Sequence, residues 1–127
     1  MNPRPGQTPS PDRRILEVLD VIKGRWKGPI ILLLRDGTQR FSALRRSMPA
    51  ASARSLTESL RALERDGVIR REQFEAIPPR VEYSLTDHGH ALTPLLDQID
   101  AWGIDHLECV HHCRVAYDKQ STTKRKR

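Results

Sequence analysis

The sequence predicts an α+β fold, mostly helical, in one domain that ends in a long helix. Three observations predict it. Apolar residues recur at helical spacing in four segments before Gly67 and in one after Thr86. Between Ile69 and Leu85 the period drops to two, the alternation of a strand pair. The 127 residues leave too little chain for two independent cores, because each half would sit where burial barely offsets chain entropy.

Residues 1–9 carry three prolines and a glycine among polar neighbours and cannot bury apolar area, so a disordered N-terminal arm is expected there. The folded domain is expected over residues 10–106. Ser10-Pro11 supplies an N-cap followed by proline at the first helical position, and Ile15, Val18, Leu19 and Ile22 follow at helical spacing. The first helix therefore runs from about residue 11 to 23 and stops at Gly24. Trp26 and the run Pro29-Ile-Ile-Leu-Leu-Leu34 make a second, mostly buried helix that ends at Asp36-Gly37. Pro29 has no N–H and belongs in a first turn, so this helix cannot begin much before Trp26.

Phe41-Ser42 opens a short third helix with Leu44 and Met48 inward and Arg45 and Arg46 outward, closed by Pro49. After Ala50-Ala51, Ser52 caps a fourth helix, although Ser at position 55 rules out a capping box. At 100 degrees per residue, Ala53, Leu56, Leu60 and Leu63 share a stripe roughly 80 degrees wide, with Arg54, Glu58, Arg61 and Arg65 opposite. Gly67 supplies the left-handed residue that ends it.

Val81, Tyr83 and Leu85 then alternate with Arg80, Glu82 and Ser84, and Ile69 to Phe74 pair with them across a Pro-Pro tip. Thr86 caps a last helix in which Leu92, Leu95, Leu96, Ile99 and Trp102 form an apolar stripe over about four turns. So small a domain cannot bury all of that stripe itself, which predicts a homodimer. Ile15, Leu19, Leu92, Leu96, Ile99 and Trp102 are the expected dimerisation residues. Residues 107–127 are expected to be a helix extension followed, from Asp118 on, by a basic disordered tail.

The formal net charge of +6 is less informative than its placement. Residues 15–105 hold 13 basic and 13 acidic side chains, so the excess lies in the tails. Within that neutral body, residues 40–71 hold eight arginines against Glu58, Glu64 and Asp66, whereas residues 86–105 hold four Asp and no Lys or Arg. Such segregation fits one DNA-facing side. No apolar run approaches the roughly 20 residues of a membrane span, and the N-terminus lacks the apolar core of a secretion signal. The cytoplasm is the expected location. Two cysteines are too few for a disulfide framework.

Two short helices joined by a tight turn, the second bearing arginines on its outer face, followed by a hairpin, give the element order of a winged helix-turn-helix. Double-stranded DNA is the expected partner. A helix fits the major groove, where arginine can donate two hydrogen bonds to guanine. Arg54, Ser55 and Glu58 are the base-reading candidates, and Ser52, Arg61 and Arg65 the phosphate-holding ones. Glu58 would repel phosphate, so it must face a cytosine amino group or be tied to Arg54 or Arg61. Arg40 is counted with the DNA-facing residues, and Arg80 at the wing is expected on the backbone or in a narrow minor groove. A solvated, self-paired helix face is the plainer alternative for these arginines, and a face that meets an acidic protein is another. No nucleophile and base pair, phosphate-cradling glycine loop or facing carboxylate pair suggests an enzyme, and no cofactor is expected.

Five segments resemble the HxlR-type winged helix-turn-helix regulators of bacteria: Lys23-Gly-Arg-Trp26, Arg40 to Arg46, Ser52 to Gly67, Pro78 to Thr86 and Ala101-Trp-Gly103. Each is weak alone; five in order are specific. The resemblance implies homodimers joined through first and last helices, pseudo-palindromic operators, and DNA contact by the fourth helix and by Arg80. Redox-sensing members carry a reactive cysteine just before or within the first helix, and Asp12-Arg-Arg-Ile-Leu-Glu-Val stands there in this chain. That sensing mechanism does not carry over, and a small-molecule or redox effector stays open.

His106, Cys109 and Cys113 fall within about 60 degrees of one another if the last helix continues, with His112 near the edge. Soft-metal ligation, thiol sensing and a silent helix end are all compatible with that spacing, and two thiols four apart on a helix have poor disulfide geometry. No metal site is expected from it.

Overall fold

The computed structural model describes residues 10–125; the expected arm at residues 1–9 lies outside the described residues. The chain divides after Thr93 into two compact units, the second beginning at Pro94.

Within the first unit, α1 (Pro11–Ile22) and α2 (Lys27–Leu33) are followed by a two-residue strand β1 (Gln39–Arg40). Next come α3 (Phe41–Ser47), α4 (Ala53–Arg65) and the hairpin β2 (Ile69–Phe74) and β3 (Arg80–Leu85). The last helix, α5 (Asp87–Arg125), begins in this unit and continues through the second. The α+β, mostly helical architecture with a hairpin wing and long last helix is as expected. β1 is an addition. It pairs antiparallel with β3, so the sheet order is β1-β3-β2, with Gln39 opposite Tyr83 and Arg40 opposite Glu82. Two residues carry no readable period, and the strand is fixed by its neighbours: the Gln39 side chain donates to the Leu33 carbonyl at 2.8 Å.

Pro29 is the third residue of α2, inside the first turn, where its missing N–H leaves no rung of the helix unmade. Ile30, Ile31 and Leu34 are buried while Leu32 is exposed. The core continues through Leu44, Met48 and Ala51 around the helix-helix turn, through Leu56, Leu60 and Leu63 of α4, and through Val68, Ile69 and Tyr83 of the hairpin. α4 packs on α2 and β2, and α3 on β1 and β3. A Leu in this set cut to Ala would cost about 2–5 kcal/mol.

α1 contributes nothing to this core. It packs on α2 yet has no buried residue, and Ile15, Leu16, Val18 and Leu19 are all exposed. Ser10 occupies the N-cap position, but its hydroxyl bonds the Asp12 carboxylate instead of a helix N–H. That bond, with the backbone N–H groups of Asp12 and Arg13, holds the Asp12 carboxyl below its ordinary range.

α4 ends with both bonds of a Schellman turn: Val68 N–H to the Leu63 carbonyl at 2.9 Å and Gly67 N–H to the Glu64 carbonyl at 3.0 Å. Gly67 has φ 73°, a conformation that side chains resist. The Thr86 hydroxyl donates to the Gly67 carbonyl at 2.5 Å and accepts from Gly89 N–H at 3.2 Å. One residue thereby caps α5 and clips its start to the end of α4.

α5 contains Pro94, which leaves the His90 carbonyl without its helical donor; the Thr93 hydroxyl supplies one at 2.9 Å. The helix passes residue 118 and runs to Arg125, correcting the disordered tail expected from Asp118. No Gly or Pro follows Gly103, so nothing breaks the ladder, and Thr122 and Thr123 turn their hydroxyls back onto the Asp118 and Lys119 carbonyls. No helix among the described residues is long and apolar enough to cross a membrane.

Candidate nucleic-acid interface

α4 presents its interface because its leucines are spent on the core. Leu56, Leu60 and Leu63 hold one side, which leaves Arg54, Glu58, Arg61 and Arg65 exposed on the other. Ser52 caps the helix as expected: its Oγ accepts from Ser55 N–H at 3.0 Å. Its proton goes to Ser55 Oγ at 2.9 Å. Ser52 is thus committed to the helix start, and the proton left to offer outward is that of Ser55.

Glu58 has the partner its position demanded. Arg54 Nε meets Glu58 Oε1 at 3.0 Å, one helical turn apart, with both side chains well exposed. A pair in water at that spacing contributes about 0.3–0.5 kcal/mol, little enough for a stronger acceptor to displace it.

The second part of the surface is a groove of about 810 Å³ between α4 and the wing. Arg40, Arg61, Arg71 and Arg80 line it against one carboxylate, Glu64. Thr57 also lines it, but its hydroxyl donates to the Ala53 carbonyl at 2.8 Å. The Arg80 guanidinium sits 4.6 Å over the Phe74 ring, across the hairpin register. Its buried Nε lies 3.4 Å from Glu82 Oε1, close enough for attraction but without a hydrogen bond among the described residues. Arg40 Nε is 4.0 Å from the same oxygen. At the wing tip Ile77 is fully exposed, followed by Pro78 and Pro79.

The structure therefore brings Arg40, Arg61 and Arg80 to one groove and leaves Ser52, Arg54, Ser55 and Glu58 at the N-terminal part of α4, with Arg65 exposed at its other end. Two contributors escaped sequence reasoning. Arg71 is a groove wall because its register places it opposite Tyr83, and Glu82 bridges Arg40 and Arg80 because β1 adds its unforeseen pairing to β3. The signal for Arg71 was strand alternation, which separates it from Arg70.

Of the expected dimerisation residues, Ile15 and Leu19 on α1 and Ile99 and Trp102 on α5 are exposed, and Leu92 is half-buried. Leu96 differs. It is only 8% exposed in a single copy, so its side chain already has a place within one chain. Cys109 and Cys113 are free and exposed, and among the described residues no three His, Cys, Asp or Glu side chains cluster to hold a metal ion.

Two short helices, an arginine-faced second helix and a hairpin wing define a winged helix-turn-helix fold, and the family and relatives that the chain matches are transcriptional regulators. The chain belongs to the HxlR-like helix-turn-helix family, whose sequence pattern matches residues 21–111. It is 44% identical over 104 residues to the HTH-type transcriptional regulator YdeP of Bacillus subtilis, covering 80% of this chain and 81% of that protein. Its structure is similar to that of the redox regulator HypR in its reduced form, with TM-score 0.72 and 40% identity over 78% of this chain and 98% of the other. A MarR-family transcriptional regulator from Porphyromonas gingivalis W83 shares the fold at TM-score 0.70 and 29% identity, covering 79% and 98% of the two chains.

Proposed function

We propose that this regulator acts in the cytoplasm as a homodimer on a pseudo-palindromic operator, with α4 in the major groove and the wing on the adjacent backbone or minor groove. The observation that carries the reading is the groove that joins Arg61 of α4 to Arg80 of the wing and adds Arg40 and Arg71. Four guanidiniums around one concave surface suit a phosphate strand, and a strand held there leaves the N-terminal half of α4 facing base edges. Arg54, Ser55 and Glu58 then read bases, while Arg61, Arg65, Arg40 and Arg80 hold the backbone. Ser52 acts indirectly, by fixing the first turn.

The exposed apolar rows of α1 and α5 support the homodimer, since Ile15, Leu19, Ile99 and Trp102 are only partly covered within one copy. The redox activity in the name of HypR belongs to that protein; this chain has cysteine only on α5, so a redox effector, if it uses thiols, acts from there.

Selection of duplexes from a random pool by the full chain tests the reading. The expected product is two related half-sites about one helical turn apart, or a multiple of it. Recovery of unrelated sequences with one common, salt-controlled affinity would instead leave a basic surface without sequence choice.

A further inference from the structure

The strongest unassigned feature is on α5. Cys109 and Cys113 are free, exposed and four residues apart on one helix. They lie on an open face of α5 that also carries Trp102, His106, Val110, Arg114, Tyr117 and Asp118. One turn apart, their side chains share a face of the helix. Cys113 is raised above its ordinary range by its hydrogen bond to Cys109, then by the charge that Cys109 acquires on ionising.

This geometry selects among thiol chemistries. Side chains four apart on a helix have Cβ atoms about 5–6 Å apart. A disulfide needs about 3.5–4.5 Å, so the pair cannot close on itself while the helix stands. One atom with bonds of about 2.3 Å to each sulfur at a near-tetrahedral angle bridges sulfurs about 3.8 Å apart, which side chains one helical turn apart can reach by rotating about χ1. A zinc-like ion asks for three or four protein ligands, and among the described residues no such group exists. His106 is engaged otherwise, its ring 4.9 Å from that of Trp102 and tilted by 32°. The site suits a soft centre that takes two thiolates and brings its own organic substituent, for which Val110 and the Tyr117 ring offer apolar surface next to the thiols.

We propose that Cys109 and Cys113 form a dithiol site for trivalent organoarsenicals of the type R–As(OH)2. Two S–H and two As–O bonds break, two As–S bonds form, and the thiol protons leave with the hydroxides as two waters. Arsenic stays trivalent, so no oxidant or reductant is needed. The site does not depend on the operator reading.

The test is titration of the full-length chain with phenylarsine oxide, read by intact mass and by free-thiol count. One phenylarsenic per chain with loss of two thiols is expected. Cys109→Ser and Cys113→Ser should each weaken binding at least ~100-fold, because the second sulfur acts at the high effective concentration set by the helix. Equal binding by either single variant overturns the site, as does arsenic that links two chains. Both substitutions lie on an exposed helix face, and an unchanged helical circular-dichroism signal shows that the variants are folded.

Discussion

Arg54 meets solvent with its charge already shared, since Glu58 lies 3.0 Å from its Nε. A side chain oriented in this way is aimed before DNA arrives, and the proposed role is to exchange the carboxylate for a base edge. Arg65, at the other end of α4, has no base in reach on this reading and holds phosphate. The two residues therefore predict different losses. Arg54→Ala should erase about 1–3 kcal/mol of discrimination at one base pair. Arg65→Ala should weaken operator and random duplex alike and lower the salt slope by about 1. Equilibrium binding to both duplexes at three salt concentrations separates these outcomes, and parallel losses for both variants would end the division between reading and holding. The outward arginines were legible because the 3.6-residue period of α4 sorts every side chain to one face or the other. The commitment of the Ser52 hydroxyl was not, since it depends on the rotamers of two serines at the cap.

Gly89 shows at the scale of elements how the wing root is held. A Cβ there would collide with the Val68 carbonyl oxygen and press on Leu85 Cδ2 at 2.9 Å. The first turn of α5 thus lies directly on the strand ends that the Thr86 hydroxyl also clips. Gly89→Ala should lower stability by about 1–3 kcal/mol despite alanine's better helix propensity, because backbone must move. Gly103→Ala gives the opposite sign. Its Cβ would meet only Leu107 Cδ1 at 3.2 Å, the far end of an exposed side chain, so a gain of up to about 1 kcal/mol is expected. Thermal melts of the two variants check both signs together. The helices and hairpin were readable from period and caps; Gly67, for example, does what its place after Asp66 requires. β1 was not readable, because its pairing with β3 is a tertiary fact written nowhere in Gln39-Arg40 itself. The end of α5 was misjudged on polarity, a guide to burial that is a poor guide to where a helix stops.

For the whole molecule, the exposed apolar rows on α1 and α5 are the feature on which the proposed homodimer rests. Ile99 and Trp102 are 46% and 55% exposed, whereas Leu96 is covered, so Leu96 substitutions would confuse fold with assembly. Ile99→Asp is the cleaner probe: sedimentation should show monomers whose affinity for a two-half-site duplex falls at least ~100-fold, with native helical content retained. An Ile99→Asp protein that stays dimeric would move the interface off α5. The sequence disclosed the surplus stripe but not which of its members one chain covers, because a helical period sorts residues by face and not by burial. The Glu82 carboxylate adds a consequence for how strongly ions govern binding. Sitting 3.4 Å from Arg80 and 4.0 Å from Arg40, it works as a built-in counterion, as Glu58 does for Arg54. On the proposed DNA contact, phosphates reaching these guanidiniums displace a tethered anion as well as loosely held salt, so fewer mobile ions are set free than a tally of surface arginines implies. Binding by such a surface is moderated from within, and its tolerance of ionic strength is a property encoded by two glutamates.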